Sequence, residues 1–305
     1  MKICILTPEF LPSWGGIGTY TYYLARGLQE RAEVHVVTSA NAPGDAAPQE
    51  LEHVTTHEIG TPAVGADSAR SALQFQVAVL RTLPRLIKDY GFDVVHANHA
   101  QMSDVLARLR SSRAQNVVTV HTTLGTQLHG TLKSGAGQMG QAVEKSIVRH
   151  RRVLRFVERR YLRNSPSLIF VSRWIRDQAF GYRLHPRVSR IVPNAVDSAR
   201  FVPSERLASN REPETAKPFT LLFAGRLLAQ KGLSTLLQAL ALLPHTVRLV
   251  VAGPGDPTPW REYARALKMM EDQLAKDPTT AYYKKYIERL RDVNRVQQDA
   301  QNLHH

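Results

Sequence analysis

The stretch KICILTPEFLPSWGGIGTYTYYLARGL, residues 2–28, decides the fold. Its first six residues are apolar almost throughout, as a parallel strand covered on both faces should be. A loop through Pro8, Pro12 and Ser13 follows. Three glycines, Gly15, Gly16 and Gly18, then open a run with helical spacing. A strand, a glycine-rich turn and a helix begin a βαβ unit. Glycines at such a turn let the backbone approach a ligand, and the free N–H groups of the helix N-terminus favour an anion. Two common versions of the motif are excluded. The spacing is not G-x-G-x-x-G, and no Lys-Ser or Lys-Thr pair follows as it would in a P-loop.

The same alternation continues outward. EVHVVTS (33–39), FDVVHA (92–97), NVVTVH (116–121), SLIFVS (167–172) and SRIVP (189–193) read as strands, with helical patterns over 17–31, 67–90 (interrupted by Pro84), 100–110, 141–163 and 173–180. This predicts a doubly wound sheet. After Asp197 the pattern stops, and the polar, proline-punctuated SERLASNREPETAKP (204–218) suits a linker. A second α/β segment starts at FTLLFAG (219–225), with a helix at 233–243, a strand at 246–253 and a helix at 259–270. Residues 268–305 carry no strand run, and Tyr283, Tyr286, Ile287, Leu290 and Val293 fall at helical spacing. The expected architecture is α/β: two Rossmann-like doubly wound domains, the second incomplete and ending in a helical tail. The boundaries are 1–200 for the first domain, 201–217 for the linker, 218–267 for the partial second domain and 268–305 for the tail.

Bulk properties narrow the partners. The chain has 305 residues, a formal net charge of +14 and a sequence pI of about 10.1. Such a surface favours nucleic acid, anionic lipid or phosphorylated small molecules. A single cysteine, Cys4, excludes an internal disulfide and suits a reducing compartment. Cys4 lies within the first strand and reads as a core thiol. The apolar run after Met1-Lys2 is too short for a signal peptide, and no run approaches the roughly 20 apolar residues of a membrane span. The expectation is a cytoplasmic protein, peripheral at most on the inner face of a membrane.

A second motif is LLFAGRLLAQKGLSTLLQAL, residues 221–240. A buried strand ends at Gly225, Arg226 follows at once, and Lys231-Gly232 opens a helix. Two cations and a helix N-terminus at the carboxyl edge of a parallel sheet suit a diphosphate.

Together GGIGTYTYYLARGL, HTTLG (121–125), IVPNAVD (191–197), FAGRLLAQKGLSTLLQAL and VVAGPGD (250–256) resemble the retaining GT-B glycosyltransferases of family four, in order and spacing, over residues 1 to about 267. The resemblance implies a nucleotide-sugar donor, of UDP or GDP type, between two Rossmann-like domains. It implies that Arg226 and Lys231 hold the donor diphosphate and that the backbone of Gly15 and Gly16 closes on the phosphates or the sugar. His121 is the catalytic candidate at the transferred sugar, and Asn98 and His99 line the acceptor side. The donor is a substrate; no cofactor and no metal are implied. The acceptor is a glycan or a lipid-linked molecule.

One departure stands out. The family carries two glutamates eight positions apart that hold the donor sugar and the ribose. Here Glu262 and Glu271 stand nine apart in a different context. This raises a second reading, a binding subunit without full activity, or one completed by a partner chain. A third feature, EKSIVRHRRVLRFVERRYLR (144–163), holds eight Lys/Arg and two Glu, with Ile147, Leu154, Val157 and Tyr161 as an apolar stripe. It reads either as a basic helix on anionic lipid or as a solvated face packed on the sheet. Nucleic acid is disfavoured, because the segment has few stacking aromatics. A nicotinamide-dependent oxidoreductase fails on the glycine spacing and on the absence of an acid closing the second strand, which ends in Thr38-Ser39.

Overall fold

A computed structural model of the chain describes residues 1–10, 15–40, 51–60, 69–98, 102, 104–107, 113–133, 148–199, 201–202, 219–225, 227, 231–240 and 247–253. The chain divides into two units: Met1–Thr126 with His150–Ala195, and Gln127–Arg149 with Val196–His305. The predicted helix 259–270 and tail 268–305, and all of the predicted linker but its first two residues, lie outside the described residues.

The first unit is built on a seven-stranded sheet in the order β3-β2-β1-β4-β5-β6-β7. Its strands are β1 (Lys2–Leu6), β2 (Glu33–Ser39), β3 (Val54–Ile59), β4 (Val94–Asn98), β5 (Gln115–Val120), β6 (Ser167–Phe170) and β7 (Val188–Ile191). Every pairing is parallel. Residues alternate between faces along each strand. In β1, Ile3 and Ile5 join Tyr22 and Ala25 of α1 (Gly16–Leu28), while Cys4 and Leu6 join Phe75, Val79 and Leu83 of α2 (Ala69–Tyr90). Beyond β5, Val118, Val120, Leu168 and Phe170 pack with Tyr161 and Leu162 of α4 (Arg151–Arg163) and Ile175 of α5 (Arg173–Phe180). The winding reverses between β1 and β4. The carboxyl ends of the strands at such a switch point are where open α/β sheets bind ligands.

The second unit pairs β8 (Thr220–Ala224) with β9 (Arg248–Ala252) in parallel. Helix α6 (Leu233–Leu240) buries Leu233 and Leu237. Gly232 precedes it at φ +77°, a left-handed conformation that explains glycine after Lys231.

Several expectations need correction. Strand β3 was missed because VTTHEI is an edge strand with three exposed positions and no apolar run. Helix α3 (Leu124–Lys133) was missed because LGTQLHGTLK carries two glycines and two threonines. Pro84 does not interrupt α2, which runs through it; Leu83 and Leu86 beside it are buried and hold the helix to the sheet. Residues 104–107 form turns rather than the predicted helix 100–110, and Met102 has φ +48°, which an α-helix excludes. On α4 the predicted stripe packs inward through Tyr161, with Leu154 and Val157 half-buried, whereas Val153 and Phe156 are 65% and 68% exposed. Ile147 lies outside the described residues.

The Cys4 side chain is fully buried, and burial alone pushes its thiol pKa well up. Native protein should therefore show negligible labelling by a thiol reagent, rising to one thiol per chain only in denaturant. Stoichiometric labelling of the folded protein would mean that β1 is not covered on this face.

Candidate active site

His121 follows β5 at the carboxyl edge of the sheet, and a directed hydrogen-bond chain fixes its ring. The Thr21 hydroxyl donates to the Ile17 carbonyl of α1 at 2.9 Å. Its oxygen therefore accepts from Asn98, whose Nδ2 lies 2.8 Å away. That sets the amide so that Oδ1 faces His121 Nε2 at 3.2 Å. An amide oxygen only accepts, so Nε2 carries hydrogen. Tyr20, one residue before Thr21, meets the imidazole edge-on with ring centres 4.5 Å apart.

A second layer supports the first. The Thr119 hydroxyl, on the same face of β5, lies 3.2 Å from Tyr20 Oη and 2.7 Å from His96 Nε2. Burial lowers the His96 pKa to about 4, so its ring is neutral at physiological pH. Burial also raises the Tyr20 pKa, against the opposing effect of the Thr119 hydrogen bond, which keeps the phenol protonated.

The glycine turn stands beside this network. Gly15 is the N-cap of α1, and a Cβ built on it would collide with the Glu9 carboxylate. The first turn of α1 contains no acid of its own. Glu9 thus places a protein anion at a helix terminus whose N–H groups favour one. A Cβ on the exposed Gly16 would meet nothing within 4 Å.

The turn after His121 is locked from two sides. Thr123 Oγ1 accepts from Thr126 N at 3.2 Å while Thr126 Oγ1 accepts from Thr123 N at 3.1 Å, a reciprocal cap on α3. The next N–H, that of Leu124, donates to Glu158 Oε1 of α4 at 2.7 Å.

Of the residues singled out in the sequence, Gly15, Gly16, Asn98 and His121 belong to the first unit. Asn98 ends β4 and is fully buried, with its side chain against His121. Lys231 is exposed in the second unit, just before α6. His99 and Arg226 lie outside the described residues. Among the described residues, no three His, Cys, Asp or Glu side chains group as metal ligands do.

A family model described as Glycosyltransferase Family 4 matches residues 14–200. The chain belongs to this family. It is 28% identical over 241 residues to the D-inositol 3-phosphate glycosyltransferase of Pseudarthrobacter chlorophenolicus, a match covering 75% of this chain and 54% of that protein. The chain therefore spans about half the length of that relative. Among solved structures it is similar to sucrose-phosphate synthase from Thermosynechococcus elongatus (TM-score 0.60, 20% identity, 90% of this chain and 67% of that one). It is also similar to Anabaena HepE in complex with UDP and glucose (TM-score 0.51, 17% identity, 91% and 67%). At these identities the structural likeness shows the fold: an α/β chain of the glycosyltransferase GT-B kind.

Tyr20, Thr21, His96, Thr119 and Glu158 were missed as parts of the hydrogen-bonded surroundings of His121 and its turn. Tyr20 and Thr21 sit within the quoted glycine–helix run, and His96 and Thr119 within strand runs, where each reads as ordinary filling. No local signal joins Thr21 to Asn98 across 77 positions.

Two outcomes follow. Asn98→Ala removes the acceptor for the half-buried His121 and the donor for the buried Thr21, and should lower unfolding free energy by about 1–3 kcal/mol in denaturant titration; an unchanged midpoint would disprove the chain. His96 binds a proton in the unfolded state below pH about 6.5, but in the folded state only near pH 4, so stability falls as pH is lowered through that window. The loss between pH 7 and 4.5 should be about 2–3 kcal/mol from this group. His96→Gln should show a correspondingly smaller acid loss, and equal losses would refute the assignment.

Proposed function

We propose that the chain transfers a sugar, with retention, from a UDP- or GDP-type nucleotide sugar to a glycan or lipid-linked acceptor. The observation that carries this reading is the orientation of His121, held by Asn98 and α1 at the carboxyl edge of the sheet beside the glycine N-terminus of that helix. Family membership adds the reaction class. The HepE structure, with its UDP and glucose, is the precedent for the donor.

In this reading negative charge grows on the departing diphosphate. Arg226, Lys231 and the amides at Gly15 and Gly16 stabilise that charge more in the transition state than in the ground state. His121 contacts the transferred sugar. The acceptor attacks on the face the diphosphate leaves, which retains configuration without a protein nucleophile. Arginines 151, 152, 155, 159, 160 and 163 on α4, with exposed Val153 and Phe156 among them, suit attraction to an anionic membrane where a lipid-linked acceptor resides.

Thermal or chemical unfolding against UDP, GDP, ADP and their sugar conjugates tests the donor. A cognate nucleotide at about 100 times its Kd should add roughly 2.7 kcal/mol. The Arg226→Ala/Lys231→Ala double variant should lose the gain, and Gly16→Val should weaken it while leaving the free protein folded. Stabilisation accompanied by release of nucleoside diphosphate supports the transferase. Stabilisation without turnover supports a binding subunit that needs a partner chain to supply the donor-sugar glutamates. Absence of stabilisation by every nucleotide overturns both.

A further inference from the structure

Glu158 is the only acid on α4, among six arginines, yet its side chain is 2% exposed. Its two oxygens are engaged separately. Oε1 accepts the Leu124 N–H at 2.7 Å and Oε2 accepts the Tyr182 hydroxyl at 2.7 Å. Burial, then the nearby Glu158 charge, push the Tyr182 pKa well up, so that phenol stays a donor. The Tyr182 oxygen also stands 3.6 Å from where a Gly125 Cβ would lie, over the first turn of α3.

A buried carboxylate is costly unless its oxygens are satisfied. Here it meets a helix terminus that needs an anion. The first turn of α3 has no acid, and two glycines and two threonines make the helix a weak former. The Thr123–Thr126 cap satisfies the N–H groups of Thr123 and Thr126, and Glu158 satisfies that of Leu124. The turn from His121 to Leu124 thus has one end at β5 and the other on a carboxylate from α4.

We propose that Glu158 is a positioning residue for His121: its carboxylate fixes the 121–124 turn, and through it the presentation of the imidazole at the reacting centre. The proposal rests on the reading of His121 as the group that contacts the transferred sugar. Asn98 holds the ring by Nε2, and Glu158 holds the backbone that carries it. Neutralising the carboxylate weakens the second hold while leaving the packing volume unchanged. Remote displacement of a catalytic group by as little as 1 Å can cost about 100-fold in rate.

The test compares the full chain with E158Q and Y182F by thermal unfolding, by the NMR signals of the His121 ring, and by steady-state kinetics with the nucleotide sugar that stabilises the wild type. The glutamine variant should stay folded, shift or double the His121 signals, and lose about 10- to 100-fold in kcat with donor KM within about twofold. Y182F leaves the Leu124 bond in place and should move both readouts in the same direction by less. Folded E158Q with wild-type His121 signals and wild-type kcat would overturn the proposal. Should E158Q fail to fold, Y182F decides: unchanged ring signals and kcat overturn the positioning role. A wild type that turns over no donor defeats the transfer reading, and the His121 signals alone then decide whether Glu158 positions the ring.

Discussion

The Asn98 amide can point only one way. Its nitrogen faces a hydroxyl whose hydrogen is already given to the Ile17 carbonyl, and its oxygen faces His121 Nε2. Reversing the amide would set two acceptors together at the buried Thr21 and two donors together at the half-buried His121. One buried side chain thereby joins α1, β4 and the end of β5 at the point where the sheet reverses its winding. The hydrogen on His121 Nε2 follows from this arrangement, as does the angle at which α1 presents its N-terminus. A fully satisfied polar network of this kind favours a single arrangement, because each alternative leaves a buried group without its partner.

The charges around this network have a consistent sense. His96 is kept neutral by burial, and the Tyr20 phenol is kept protonated. Positive potential at the α1 terminus comes from oriented N–H groups rather than from side-chain cations in its first turn, which reads GIGT. The Glu9 carboxylate against Gly15 answers that potential in the free protein. A Cβ on Gly15 would meet the end of that Glu9 side chain, which would have to swing aside.

The parts of the fold that could be read from the sequence are those with strong periodicity. The continuous apolar runs of β1, β2, β4, β5 and β6 are buried on both faces and look it. Strand β3 is an edge strand with polar positions and does not. Helix α3 escaped notice because its stability is not local: it depends on a threonine pair and on a carboxylate 34 positions further on. His121 stands out in the sequence because it ends a strand run within HTTLG, and Gly15 and Gly16 because they precede a helical run; the structure sets the first just after β5 and the other two at the start of α1. Asn98 stands out as the end of a strand run, whereas its hydrogen bonds to Thr21 and His121 join positions far apart in sequence. Glu158 was hidden by its neighbours, which make the segment look like a uniformly solvated basic helix.

That helix has two faces with opposite chemistry, and the division explains where its one acid lies. Arginines reach solvent from a buried backbone by extending their stems, so six of them can crowd one helix at the surface. Glutamate is shorter, and at position 158 it lies on the same face as Tyr161 and Leu162, which are buried against β5 and β6. The inward face carries a second acid–phenol pair, since the Tyr161 hydroxyl donates to the buried Asp104 carboxylate at 2.5 Å. Helix α4 is thus held by hydrogen bonds that two carboxylates accept on its inner side, one of its own and one from the segment after β4. Each of these segments follows or adjoins a strand end that carries a residue of the His121 network. The outer arginines and the inner Glu158 therefore share one helix, and that glutamate ties the helix to the Leu124 amide at the end of the turn that begins with His121.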